Sequence, residues 1–371
     1  MFEVIHVAGN LLSSQVHREI IDRHDLITGH KSLVIVPVKS CDSGRKKELS
    51  CWRPDIVFID IPNILRFFPI TKVLFTFLKI SCLHRDKIRA SNKWFGHSIW
   101  TDGSLCWLWS LFLNTKYFLF LRNTDVNVFF NIPWVKCFVN KIVFRSVKIF
   151  VPTKTYLEKA INKFDKTQYK EKFTVLPNGI DDFWHDNICE LKISRKDLVY
   201  VGKADKNKNL INTFLSIEKN LNKLNFETFH IVGISAEEFR HITNLVAIPP
   251  WVTVHGVLKK QQLIDVYRRS SVLILPSYLE TFGLIYIEAM SQGCSIICSQ
   301  GQGISLDFVD YKMLKVVDPK DIQDIFLKLQ ELLITRPTFD AVLATSGFRW
   351  KKIIESLMIQ SFSERVIPPQ K

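Results

Sequence analysis

The sequence predicts an α/β protein built from two doubly wound, parallel-sheet domains. Three observations predict it. Short apolar runs rich in β-branched and aromatic residues alternate with helical stretches along the chain, as expected for strands covered by helices on both faces. The runs form two series, divided near the turn-forming cluster Pro177-Asn178-Gly179-Ile180-Asp181. At 371 residues the chain has the length of two ordinary domains, each able to bury a core without disulfide or metal.

The first series is Phe2–Val7, Leu33–Val36, Asp55–Ile59, Tyr117–Leu121 and Ile149–Val151, closing with Phe173–Leu176. The second is Leu198–Val201, Thr228–Val232, Val252–Val254, Val272–Leu275, Ser295–Cys298 and Leu314–Val317. The domains expected are 1–176 and 177–345, followed by a tail at 346–371. In that tail Trp350, Ile353, Ile354, Leu357 and Met358 form one apolar stripe on a helix over Phe348–Phe362. The most apolar stretches, Phe67–Ile80 and Leu105–Leu121, are broken by Lys72, Lys79, Asn114 and Lys116, so neither offers the roughly 20 residues a spanning helix needs. The opening Met1-Phe2-Glu3 has an early acid and no basic region, so no export signal is expected.

With 23% charged residues, 12% aromatics, 14 Gly and 14 Pro, the composition excludes disordered and collagen-like chains. The formal charge is +14, and it is unevenly placed. Residues 1–175 hold 27 Lys+Arg against 14 Asp+Glu, a net of +13, whereas 176–371 hold 23 against 22, a net of +1. Such a field attracts nucleic acid, anionic lipid or a phosphorylated ligand. The eight cysteines, at 41, 51, 82, 106, 137, 189, 294 and 298, show no metal-ligand spacing and read as reduced, mostly buried thiols of a cytosolic protein.

Chemistry concentrates in VLILPSYLETFGLIYIEAMSQGCSIICS, starting at Val272. A buried strand runs into a loop ending at Thr281-Phe282-Gly283, and a helix follows through Ser291. Open α/β sheets bind ligands at such carboxyl strand ends. Gly283 lets a phosphate approach the free N–H groups of the helix start, which the helix dipole also favours. Glu280 and Glu288 flank this point. An ionised carboxylate beside a sugar nucleotide accepts charge-assisted hydroxyl bonds of roughly 1.5–3 kcal/mol each. Taken alone, Glu288 reads as an ordinary solvated helix residue.

The Glu–seven residues–Glu spacing of ETFGLIYIE, within PSYLETFGLIYIEAMSQGCSII, resembles the donor-binding segment of family 4 retaining glycosyltransferases. VLPNGID (Val175–Asp181), VGKADKNKN (Val201–Asn209), the strand and loop Val252–Gly256, and GQGISLDFVD (Gly301–Asp310) follow the family's order. RPDIVFID (Arg53–Asp60), HSIWTDGS (His97–Ser104) and FLRNTDVN (Leu119–Asn127) resemble acceptor-domain segments of a polysaccharide-building subgroup.

The resemblance implies the GT-B fold: two Rossmann-like domains facing a cleft, with the C-terminal helix crossing back to the first. Glu288 would then bind the donor ribose, Glu280 hydroxyls of the transferred sugar, and Thr281, Phe282, Gly283 and Leu284 the rest of the donor. Lys203 and Lys208 match the two basic residues that neutralise the donor diphosphate. The family usually has Arg at the first of these, and Lys203 forms no bidentate fork. Asp307 stands where the family commonly has Glu. In the first half, Gly9 would lie against the donor phosphates and His97 would face the transferred sugar, although a lone His also fits a structural role. Arg122 and Asp125 either shape the acceptor pocket or pair with each other. HVAGNLLSS around Gly9 lacks the GxGxxG of a dinucleotide redox cofactor.

The expected activity is that of a hexosyltransferase. It moves sugar from a UDP- or GDP-linked donor to a saccharide hydroxyl with retained configuration, needing neither metal nor cofactor. The expected setting is bacterial-type surface polysaccharide synthesis on a lipid-diphosphate-linked acceptor. Arg66-Phe67-Phe68 and Lys93-Trp94-Phe95, with six of the nine tryptophans in the basic half, suit a peripheral enzyme on the inner face of the plasma membrane. A solvated basic surface is the alternative. Two other classes stay open: a non-catalytic assembly subunit of the same fold, and a basic nucleic-acid-binding protein, which no zinc module, RNP-like pattern or basic repeat supports.

Overall fold

The computed structural model describes residues 4–39, 49, 52, 54–67, 69–89, 91–113, 115–164, 167–188 and 195–362. Met1–Glu3, Arg53, Phe68, Asn114, Cys41, Cys51 and Cys189 lie outside the described residues, as do the side chains of Arg66 and Phe67. The chain divides into two compact units. Unit 1 comprises Met1–Pro152, Leu157–Pro177 and Trp350–Lys371; unit 2 comprises Thr153–Tyr156 and Asn178–Arg349.

The strands of unit 1 are β1 (Ile5–Val7), β2 (Leu33–Lys39), β3 (Asp55–Ile61), β4 (Lys93–Gly96), β5 (Lys116–Phe120), β6 (Lys148–Val151) and β7 (Phe173–Val175). They form one parallel sheet in the order β3-β2-β1-β4-β5-β6-β7. The register sets Ile5 opposite both Leu33 and Trp94. The chain therefore winds one way from β1 to β3 and the other way from β4 to β7. Because parallel crossovers are right-handed, this reversal puts helices on both faces. Helix α1 (Gln15–Thr28) covers one face. Helices α2 (Pro69–Leu83), α3 (Thr101–Phe112) and α4 (Pro133–Arg145) cover the other, α2 against α3 and α3 against α4.

Unit 2 repeats the plan with β8 (Asp197–Val201), β9 (Phe229–Val232), β10 (Val252–Val254), β11 (Ser270–Ile274), β12 (Ser295–Ser299) and β13 (Leu314–Val317). All pairs are parallel, in the order β10-β9-β8-β11-β12-β13. Its helices include α5 (Leu210–Glu218), α6 (Lys260–Arg269), α7 (Leu284–Ser291) and α8 (Ile322–Thr335). Leu198–Val201, Leu273–Leu275 and Ile296–Cys298 lie buried in one continuous core.

The last helix, α9 (Trp350–Phe362), belongs to unit 1 and packs beside α1. Trp350, Ile353, Ile354 and Leu357 are buried against Phe95, Phe118, Phe120 and Phe150, with Met358 partly buried at the edge.

Two readings of the sequence are corrected. Trp94 and Phe95 are 0% and 1% exposed, because β4 is an inner strand paired to β1 and β5 and both its faces are covered. They offer no surface to a membrane. A strand is also present at Lys93–Gly96, which the apolar-run pattern missed because Lys93 and Gly96 interrupt it. Of the described cysteines, Cys106, Cys294 and Cys298 are buried but Cys82 and Cys137 are exposed. Among the described residues, no helix is long and apolar enough to cross a membrane.

Candidate active site

In unit 2 the strand order reverses between β8 and β11, so the loops after these two strands flank the crevice where open α/β sheets take ligands. The loop after β8 carries Lys203 and Lys208; the loop after β11 carries Glu280. Two asparagines lock them together. Asn207 donates from Nδ2 to the Leu279 carbonyl (2.9 Å), accepts from Leu279 N–H at Oδ1 (2.8 Å), and takes the Tyr278 N–H on its carbonyl (2.9 Å). Asn209, buried and left-handed at φ 56°, donates from Nδ2 to the carbonyls of Pro276 (3.0 Å) and Pro319 (2.6 Å). Asn tolerates this conformation better than most residues. The clamp brings Lys208 Nζ to 2.7 Å from Glu280 Oε2. Lys203 is exposed, and among the described residues no partner is found for its ammonium.

Glu280 is also held from the other side, its N–H donating to Gln302 Oε1 (3.2 Å) and its carbonyl accepting from Gly303 N–H (2.8 Å). Gly283 starts α7 at φ +81°, and a Cβ there would lie 2.3 Å from the Tyr286 ring. That ring is fixed by its hydroxyl donating to the Leu275 carbonyl at 2.8 Å. The N-cap Gly283 has no side chain to accept from the helix start, and among the described residues no side-chain cap is found, which leaves N–H groups of its first turn open to an anion. Thr281 and Leu284 are half-buried. Phe282 is buried against Phe348, so only its backbone faces the loop.

Glu288 lies on the same helix, half-buried, near the ion pair that Lys260 makes with Asp181 (2.6 Å). Burial pushes its carboxyl up to about 7; repulsion from Asp181 adds to the rise and Lys260 opposes it. Among the described residues no donor satisfies this carboxylate, so it keeps acceptor capacity for a ligand. Asp307 instead accepts the Lys154 N–H at 3.1 Å, and burial raises its carboxyl above the usual range.

Unit 1 has a cavity of about 230 Å³ at its own reversal point, between the carboxyl ends of β1 and β4, with Gly9, Asn10, Ser98, Thr101, Asp102 and Thr124 in its walls. Asp102 is 2% exposed and accepts the Gly9 N–H at 3.1 Å. Burial pushes its carboxyl up to about 7, while the bonds from Gly9 and Ser98 oppose the rise.

His97 is fully buried, its Nε2 3.0 Å from His6 Nδ1 and its ring stacked on Phe120. Burial, with the neighbouring His17 and Arg122, holds it well below the ordinary 6.5. Asp125 accepts the N–H groups of Ile99 (3.1 Å), Trp100 (3.1 Å) and Arg122 (2.9 Å). Arg122 donates from Nε to the His97 carbonyl (3.1 Å) and lies over the Phe120 ring. These two residues therefore tie down the turn whose Ser98 and Thr101 line the cavity.

Asn207, Asn209, Gln302 and Asp102 were absent from the sequence-derived site. The asparagine-rich KNKNLIN was the available signal for the first two, and Asp102 stood within HSIWTDGS. Among the described residues no group of three His, Cys, Asp or Glu could hold a metal ion.

Comparison with known proteins points to the same loops. Residues 187–342 match the family model described as glycosyl transferases group 1. That stretch contains both lysines and both glutamates. The D-inositol 3-phosphate glycosyltransferase of Mycolicibacterium smegmatis is 29% identical over 105 residues, 27% of this chain and 24% of that protein. The sulfoquinovosyl transferase of Arabidopsis thaliana is 27% identical over 120 residues, 30% of this chain and 23% of that protein. The chain thus spans about a quarter of the length of these curated relatives.

Solved structures align over almost the whole chain. A lipopolysaccharide outer core galactosyltransferase has a TM-score of 0.72 at 13% identity, covering 98% of this chain and 99% of that one. A Rickettsia africae glycosyltransferase has a TM-score of 0.66 at 15% identity, covering 97% of each. HepE from Anabaena in complex with UDP has a TM-score of 0.70 at 13% identity, covering 98% and 100%. The fold is GT-B: two Rossmann-like, parallel-sheet units.

Proposed function

We propose that the protein is a retaining, metal-independent glycosyltransferase of the hexosyl type. It moves a sugar from a UDP- or GDP-linked donor to a hydroxyl of a saccharide acceptor. The observation that carries this reading is the pair of reversal-point loops in unit 2, where the Lys208–Glu280 pair, the open start of α7 and the Glu288 carboxylate lie on adjoining elements. The solved HepE complexes with UDP and UDP-glucose support a nucleotide-sugar donor.

In this reading Glu288 accepts the ribose hydroxyls and the N–H groups at the start of α7 face the diphosphate. Lys203 and Lys208 offset the charge that grows on the leaving phosphate as the anomeric C–O bond breaks; at about 4 Å and an effective dielectric near 20 each contact is worth roughly 4 kcal/mol. The acceptor hydroxyl attacks the anomeric carbon from the leaving-group face, and its proton passes to a phosphate oxygen of the departing nucleotide. No carboxylate pair of the glycosidase kind is then required. The unit 1 cavity, with its hydroxyl side chains and Asp102, suits an acceptor saccharide. The acceptor is lipid-diphosphate-linked, the pathway one of bacterial-type surface polysaccharide synthesis, and the place of action the cytoplasmic face of an anionic membrane.

A panel of nucleotide sugars screened by thermal shift identifies the donor, since bound ligand stabilises by RT ln(1 + [L]/Kd). Transfer from that donor in excess EDTA is then followed by NMR at the anomeric centre. Full activity with retained configuration is expected; an inverted product or strict dependence on Mn²⁺ overturns the mechanism.

A further inference from the structure

Helices α2, α3 and α4 form one layer on a single face of the unit 1 sheet, because each follows a crossover in the same direction. The inner sides of these helices fill the core, as Trp109 does against Trp94. Their outer sides nonetheless expose large apolar side chains as well as basic ones. Leu74 and Leu78 on α2, Phe112 at the end of α3, and Trp134, Phe138 and Phe144 on α4 are exposed, with Phe112 at 73% and Phe144 at 65%. Residues 69–83 and 133–145 contain no Asp or Glu and five Lys or Arg, of which Lys72 lines the unit 1 cavity and Arg145 donates to Ser110, leaving Lys79, Lys136 and Lys141 for this surface. Lys79 Nζ lies 5.6 Å from the Phe75 ring centroid and Lys141 Nζ 5.9 Å from that of Phe138, so cations and aromatics are interleaved on this surface.

A protein-binding patch is typically depleted of lysine at its centre. A bilayer surface instead favours apolar and aromatic side chains at the acyl boundary with lysine ammoniums reaching the headgroups. The net charge of +13 on residues 1–175 matches an anionic leaflet. The geometry points to the outer face of α2, α3 and α4 as a bilayer-docking surface, seated on anionic lipid with Leu78, Trp134, Phe138 and Phe144 at the headgroup–acyl boundary. This inference rests on the reading of the protein as one that works at an anionic membrane. It adds the surface that does so.

The test is co-sedimentation with vesicles of phosphatidylcholine alone and of phosphatidylcholine mixed with phosphatidylglycerol, using the full chain. Wild type partitions to the anionic vesicles, and the triple variant Trp134→Ser, Phe138→Ser, Phe144→Ser loses at least about tenfold of that partitioning. A control variant in unit 2, Ile334→Ser with Leu343→Ser, removes apolar side chains that are more exposed and keeps wild-type partitioning. If wild type binds neither vesicle, the membrane reading itself fails. If wild type binds and the triple variant binds equally, the membrane reading stands and this surface is wrong. If wild type is a dimer in solution and the triple variant a monomer, the surface is an interface between copies and the proposal is overturned.

Discussion

Replacing Lys208 with alanine lowers kcat by about 10²–10³-fold, the usual cost of removing one group that meets charge developing in a transition state. The structure gives this lysine a fixed position. It is about a quarter exposed, ion-paired to Glu280, and its loop is held by Asn207 and Asn209 on the strand-end loop that carries Glu280. In the proposed function the donor diphosphate becomes a second anionic neighbour of an ammonium that has little freedom to lose. Lys203 is exposed and unclamped, so Lys203→Ala costs about tenfold, the smaller effect of a screened, mobile charge. Single-turnover rates with saturating donor measure both. A Lys208→Ala rate within threefold of wild type, roughly the scatter between preparations, removes the lysine from the chemistry.

The largest effect on stability is expected at Gly233, directly after β9. Its φ is +100°, and a Cβ there would lie 2.5 Å from the Gly202 carbonyl oxygen and 3.0 Å from its carbon. Those obstacles are backbone, and Gly202 is itself bonded through its N–H to the Val232 carbonyl at 2.9 Å. Neither side can yield without opening the β8–β9 pairing. Gly233→Ala therefore destabilises unit 2 by about 2–5 kcal/mol, combining a strained φ with overpacking. Gly256 separates the two causes. Its φ of +69° is also left-handed, but among the described residues nothing lies within 4 Å of an added Cβ. Gly256→Ala therefore costs only about 1 kcal/mol. Urea unfolding of both variants checks the difference, and equal losses contradict the close approach.

Parts of this site were legible in the sequence because they are contiguous. The apolar strand before Pro276, the Gly283 turn and the two glutamates all fall within seventeen residues of one another, and a strand–loop–helix reading orders them without knowledge of the rest of the chain. The asparagine clamp was not legible, since Asn207 meets Leu279 across a separation of 72 residues and only the adjacency of β8 and β11 brings them together. His97 shows the converse. Its sequence neighbours suggested a ligand-facing side chain, yet the ring is packed among His6, His17 and Phe120 and the cavity wall begins at the next residue, Ser98. The Lys93-Trp94-Phe95 cluster misled in the same way. Lys93-Trp94-Phe95 lies on an inner strand, whereas the exposed aromatics of α4 are spaced along a helix whose outward face depends on how the crossovers wind.

The most direct test of the account is donor affinity as a function of pH in wild type and in Glu288→Gln. Burial pushes the Glu288 carboxyl of the free protein up to about 7, and in the proposed function ribose hydroxyls donate to its ionised form. Below that pH, binding must first remove a proton, so affinity falls as pH falls. A nucleotide sugar is the right probe, because its diphosphate diester does not titrate in this range, as a free nucleoside diphosphate does. Calorimetric titration should give wild type a Kd about tenfold higher at pH 6 than at pH 8. Glu288→Gln should bind at least about tenfold more weakly at pH 8 and show no slope, having lost the charge-assisted bonds. Equal affinity of the two proteins at pH 8 would contradict the assignment of Glu288 to the donor ribose.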